Sequence, residues 1–114
     1  MHEFSIVENI VTLLKQIGKD NNFVSIKKVT LKVGKLRQIV PENMKFAFGV
    51  LTKDTVASSA ELIIEEVPVK VFCRSCKNEF IVTDNVYVCP SCYSFELEIL
   101  TGKEIVLENI EGEK

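Results

Sequence analysis

At 114 residues, with 46% hydrophobic and 26% charged side chains, the chain has the size and balance of one ordinary domain, or of one small domain carrying a smaller module, and not of a disordered protein. A formal net charge of −2 and a pI near 5.5 argue against a domain that holds nucleic acid chiefly by neutralising phosphates. No stretch approaches the roughly 18 continuous apolar residues of a membrane span, and the N-terminus lacks a basic segment followed by an unbroken apolar one, so neither a membrane anchor nor a signal peptide is expected.

From Phe4 to Ile17 the apolar residues Ile6, Val7, Ile10, Val11, Leu13, Leu14 and Ile17 recur at helical spacing, which predicts a first helix closed by Gly18 at its C′ position. Lys19 to Asn22 is turn chemistry. A β-branched strand follows over Val24 to Val33, alternating as Val29, Leu31, Val33 against Lys28, Thr30, Lys32. Val24 and Ile26 fall on the opposite phase, so a bulge or a shift of buried face is expected near Lys27. Gly34 ends this strand. Pro41 suits the first position of a second helix, with Glu42 in its first turn and Met44, Ala47, Phe48 and Leu51 as its buried face.

After a polar run from Thr52 to Ser59, a second strand is predicted over Glu61 to Val67, with Pro68 marking an edge or an exit from the sheet. The cysteine module comes next. The chain leaves it through Phe95 to Ile110, where alternation interrupted at Gly102 reads as a long bent strand or a hairpin. The layout is thus α-β-α-β, module, β, with the module stemmed near Val69–Val71 and Tyr93–Phe95. Nothing in the chain is expected to repeat internally.

All four cysteines stand in two pairs, C73-R-S-C76 and C89-P-S-C92. Each short turn brings two thiolates to one side of the backbone, and Pro90 favours the tight turn that points amide N–H groups at sulfur. Four converging thiolates suit tetrahedral Zn²⁺. Without an export signal, the pairs read as metal ligands in a reducing cytosol and not as disulfides. Such a site is coordinatively closed and staples a loop too short to build its own core, which makes it structural and not catalytic. A rubredoxin-like iron site has the same ligand set, and spacing does not separate the two.

The terminus Met1-His2-Glu3 holds the only histidine. A free α-amine, the His2 backbone nitrogen and the His2 imidazole close adjacent chelate rings, and the Glu3 backbone nitrogen completes a square suited to Ni²⁺ or Cu²⁺. Ligation at the first turn of a helix costs no intrahelical hydrogen bond. The plainer reading is a solvated histidine or part of a helix cap. Elsewhere, Glu65 and Glu66 point to opposite faces of a strand, and Phe46, Phe48, Phe72, Phe80 and Phe95 read as core. There is no Ser/His/Asp set and no phosphate cradle, so an enzyme is not expected.

The chain resembles the HypA/HybF hydrogenase maturation proteins along nearly its whole length. The resemblance rests on M1-H2-E3-F4-S5, I6-V7-E8-N9-I10, V33-G34, V40-P41-E42, F46-A47-F48, A60-E61-L62-I63-I64-E65, the two cysteine pairs and G102-K103-E104-I105. It implies an α+β fold: a three-stranded sheet with two helices, plus an inserted zinc-ribbon-like domain. Residues 1–69 and 95–114 then form the α/β nickel-binding domain and 70–94 the zinc-binding insert. It further implies His2 as the essential nickel ligand, with Met1 and Glu3 beside it, and structural Zn²⁺ on Cys73, Cys76, Cys89 and Cys92. Ni²⁺ is then a transient cargo in a cytoplasmic, non-membrane metallochaperone, monomeric or homodimeric. Its implied partners are the nickel-handling GTPase HypB, the hydrogenase large-subunit precursor and, in some organisms, the urease accessory proteins.

Lys77 and Tyr93 depart from the glycine that commonly follows the second cysteine of a knuckle. The competing reading is a zinc-ribbon module for nucleic acid or for a transcription or translation partner, resting on Arg74, Lys77, Tyr87 and Tyr93 and diluted by Glu79 and Asp84.

Overall fold

The computed structural model describes residues 2–114, with side chains from Glu3 onward. Helix α1 spans His2–Asp20 and buries Val7, Ile10, Val11 and Leu14; of the other apolar residues its spacing singled out, Ile6 and Ile17 are half-buried and Leu13 is exposed. It does not stop at Gly18. The left-handed residue is Asn22 (φ 59°), whose N–H reaches the Lys19 carbonyl at 3.4 Å while the Phe23 N–H reaches the Gly18 carbonyl at 2.9 Å. This is a Schellman closure four residues later than expected, with asparagine in place of glycine. Gly18 serves packing instead, because a Cβ there lies only 3.1 Å from Val56 Cγ1.

Strand β1 (Ser25–Gly34) is the middle strand of a three-stranded sheet ordered β2-β1-β6. Ile26, Val29, Leu31 and Val33 are all buried although Ile26 lies on the opposite phase from the others, whereas Val24, which shares the phase of Ile26, is exposed. This is the shift of buried face expected near Lys27. A single 3-10 turn, Lys35–Arg37, follows and was not foreseen. It closes on Gln38 in the left-handed region (φ 53°).

Helix α2 (Pro41–Leu51) starts on the proline and buries Met44, Ala47 and Phe48, with Leu51 only half-buried. Thr52 caps it, fully buried, donating its hydroxyl to the Phe48 carbonyl at 2.6 Å. Strand β2 spans Glu61–Val67, as expected, at the edge of the sheet and with Pro68 immediately after it.

The next three strands build a second sheet. In it β3 (Lys70–Cys73) is central, pairing antiparallel with β4 (Glu79–Ile81) and with β5 (Leu97–Thr101). The segment expected as one bent strand or a hairpin over Phe95–Ile110 is therefore cut in two. β5 belongs to the second sheet, whereas β6 (Ile105–Glu113) belongs to the first. The break falls at Gly102, whose φ of +96° and lack of a side chain both matter: a Cβ there meets Val69 Cα at 2.7 Å. Gly34 is pressed against the same corner, since a Cβ on it would run into the Gly102 carbonyl.

The chain divides into two compact units. One comprises the chain up to Lys32 with Ile39–Glu65 and Val106–Lys114, and the other comprises Val33–Gln38 with Glu66–Ile105. In the first, α1 packs on α2 around Val7, Leu14, Leu31, Met44 and Phe48. The buried side chains of the second include only Val33, Val69, Val71, Cys73 and Cys89 among apolar residues. None of the described helices is long and apolar enough to cross a membrane.

Candidate metal centre

Cys73 ends β3, and Cys76 lies three residues on, after a tight turn. Cys89 and Cys92 repeat that spacing before β5. In the first hairpin the Cys73 N–H donates to the Asn78 carbonyl at 2.8 Å and the Lys77 N–H donates to the Cys73 carbonyl at 2.8 Å. In the second, the Cys89 N–H donates to Ser94 at 3.0 Å and the Tyr93 N–H donates to Cys89 at 2.8 Å. Both hairpins therefore follow one backbone path, and Lys77 (φ 67°) and Tyr93 (φ 61°) occupy its left-handed position without being glycine. The expectation of no internal repeat fails at this scale. Its trace was readable as C-x-S-C in both pairs.

The four sulfurs lie within 4.8 Å of one another, and they are the one such cluster among the described residues. Cys73 Sγ stands 3.6 Å from Cys92 Sγ, and Cys76 Sγ stands 3.5 Å from Cys89 Sγ. A tetrahedral ion with metal–sulfur bonds of about 2.3 Å needs sulfurs roughly 3.8 Å apart, whereas a disulfide needs about 2.05 Å. The cysteines are free thiols clustered in the manner of a zinc site, and the donor set fits that ion. Bound there, zinc supplies a cross-link between the two hairpins.

The local field prepares the site for a cation. At Cys89 the amides of Cys92 and Ser91 point at sulfur and outweigh the effect of burial, holding the thiol down at about 6. At Cys73 the Cys76 amide does the same and lowers the pKa. The second cysteine of each pair behaves oppositely. At Cys92 the Ser94 amide lowers the pKa, but desolvation of the sulfur and the thiols of Cys73, Cys89 and Cys76 push it up to about 12. Cys76 is likewise raised: the Asn78 amide is outweighed by the Cys89 thiol and desolvation.

Residues that the cysteine spacing alone did not single out hold the hairpins together. Ser75 Oγ and Ser94 Oγ are 3.0 Å apart, Asn78 Nδ2 donates to Ser91 Oγ at 3.4 Å, and the Arg74 N–H donates to the Glu96 carbonyl at 2.9 Å. Of the basic residues offered for nucleic acid, Arg74 is paired with Glu98 at 3.4 Å.

At the other end of the chain, Met1 and the His2 side chain, both expected at nickel, lie outside the described residues. Glu3 sits in the first turn of α1, and its carboxylate accepts the Val40 N–H at 3.3 Å, tying that turn to the residue before α2.

A family model described as hydrogenase/urease nickel incorporation, metallochaperone, hypA matches residues 1–112. The hydrogenase maturation factor HypA of Desulfatibacillum aliphaticivorans is 40% identical over 112 residues, covering 97% of this chain and 86% of that protein. Its counterpart in Aquifex aeolicus is 35% identical over 113 residues, covering 99% of this chain and 98% of that one. The solution structure of the Ni metallochaperone HypA from Helicobacter pylori superposes with a TM-score of 0.71 at 25% identity, covering 97% of each chain.

Proposed function

We propose, from the premise that this chain belongs to the HypA family of hydrogenase nickel-incorporation metallochaperones, that it carries Ni²⁺ on Met1, His2 and Glu3 and holds structural Zn²⁺ on Cys73, Cys76, Cys89 and Cys92. Proteins of this family are maturation factors and not enzymes. The observation that carries the nickel site is the family match running from residue 1 across the M1-H2-E3 opening, from which α1 starts at His2.

The proposed donors are the Met1 amine, the His2 imidazole and the backbone nitrogens of His2 and Glu3. Five-membered chelate rings closed through successive backbone nitrogens hold ψ near 0°, against about −42° in an α-helix. Loading therefore moves His2, the first residue of α1, off helical geometry, and release lets it return. The unit that carries both helices is the nickel-handling part in this reading, and the unit of Val33–Gln38 with Glu66–Ile105, which takes in residues 70–94, is the zinc-holding part. The destination is the hydrogenase large-subunit precursor, with HypB handing over nickel and urease accessory proteins as further recipients. Four unbridged thiols fit a reducing cytoplasm.

The test is a nickel titration of the intact chain, of His2→Ala, and of a chain with one residue added before Met1. Both variants lose the nickel site and keep one zinc. Unchanged nickel stoichiometry and affinity in both variants sinks the terminal site. Acidification should also release nickel, because the imidazole and amine take up protons at about 6.5 and 7.7–8.0.

A further inference from the structure

The four sulfurs differ in access. Cys73 and Cys89 are fully buried, Cys76 is half-buried and Cys92 is exposed. The two short sulfur contacts each join a buried cysteine to a reachable one, Cys73 to Cys92 at 3.6 Å and Cys89 to Cys76 at 3.5 Å. Both contacts run from one hairpin to the other, and neither lies within a C-x-S-C turn. From there a disulfide of about 2.05 Å is reached by moving each sulfur less than about 1 Å. A thiolate is oxidised according to its exposure, and a second sulfur beside it captures the first oxidation product.

From this arrangement we propose that Cys92 and Cys76 are sites of reversible oxidation by hydroperoxides, each captured by the buried cysteine of the opposite hairpin, a proposal that rests on the zinc reading of the four cysteines. The reachable thiolate attacks one peroxide oxygen, which breaks the O–O bond and leaves a sulfenic acid and a hydroxide. The buried thiolate then attacks the sulfenic sulfur, forming the S–S bond and expelling a second hydroxide. At each pair two thiolates are oxidised and one peroxide is reduced, so two peroxides consume all four donors and zinc is no longer held. Capture by the near sulfur also stops the climb to the irreversible sulfinic acid. The disulfides join residues 19 and 13 positions apart, one loop nested in the other. A link within either turn would join residues three apart and leave the hairpins untied. The longer loops restrain the unfolded chain more, so the unit of Val33–Gln38 with Glu66–Ile105 keeps its fold after the metal leaves.

The test is a hydrogen peroxide titration of the full zinc-loaded chain. Two equivalents of peroxide are expected to release the zinc to a chromophoric chelator. Tandem mass spectrometry of unreduced peptides then finds Cys73 joined to Cys92 and Cys76 to Cys89, and a thiol reductant with added zinc restores the loaded form. Amide protection across residues 66–105 survives this oxidation, in contrast to removal of the zinc by a chelator. Links within the turns, Cys73 to Cys76 and Cys89 to Cys92, overturn the proposal. So do sulfinic acids in place of disulfides, zinc retained after oxidation, or protection lost as fully as on chelation. Zinc content before any oxidant reports on the underlying reading separately: a chain that holds no zinc refutes that reading, and the release with it, whatever the disulfide map shows.

Discussion

Lys77 and Tyr93 show what the metal-binding hairpins demand of single residues. A side chain in the left-handed region costs roughly 1–2 kcal/mol, and here it is tolerated twice because the hairpin hydrogen bonds fix the turn. Lys77→Gly is accordingly expected to raise the stability of the zinc-loaded form by about 1 kcal/mol, read as a higher thermal midpoint. The thiols give a second residue-scale prediction. In the metal-free form Cys76 and Cys92 are raised, so both hold their protons at neutral pH and zinc loading there displaces them, measurable from the buffer dependence of the binding enthalpy. Because the folded Cys89 titrates near 6 against 9.0 when unperturbed, its contribution to folding is complete above pH 9 and is lost as pH falls through 6. Zinc affinity should steepen in its decline below that point.

Among the elements, those written by local signals were legible: Pro41 opens α2, β2 lies at Glu61–Val67, and Val7, Ile10, Val11 and Leu14 of α1 are buried, although Leu13, one residue off that stripe, is not. The misreadings share a cause. Gly18 looks like a helix stop because sequence shows glycine's conformational freedom but not its thinness, and the 3.1 Å approach of Val56 is a tertiary fact. Gly102 looked like an interruption within one strand, because periodicity does not reveal which sheet a strand joins. The hexapeptides share only C-x-S-C in side chains, so their repetition lies in a backbone path that composition does not display. Gly49→Ala, with open space at its Cβ, is expected to stabilise the folded monomer by up to about 1 kcal/mol in a denaturant titration at low concentration. Thr52→Val, which deletes a fully buried hydroxyl bonded to the Phe48 carbonyl, should cost about 1 kcal/mol in the same assay.

For the molecule as a whole, the two units differ in what holds them. The unit containing both helices has a conventional apolar core, whereas the unit built on β3, β4 and β5 buries few apolar side chains and two of those are cysteines. Chelating the zinc should therefore abolish amide protection across residues 66–105 while leaving α1 and α2 protected, a pattern hydrogen exchange resolves directly. The proposed nickel site rests on the chelating chemistry of Met1-His2-Glu3 together with the resemblance, because by themselves the terminal residues more readily support a solvated histidine or a helix cap. Finally, the hexapeptides 73–78 and 89–94 trace the same path with the same pattern of internal hydrogen bonds. They behave as interchangeable parts: a chain in which C-P-S-C-Y-S is grafted over C-R-S-C-K-N should still assemble four sulfurs around one ion. The centre is in that sense a dimer of hairpins written into a single polypeptide.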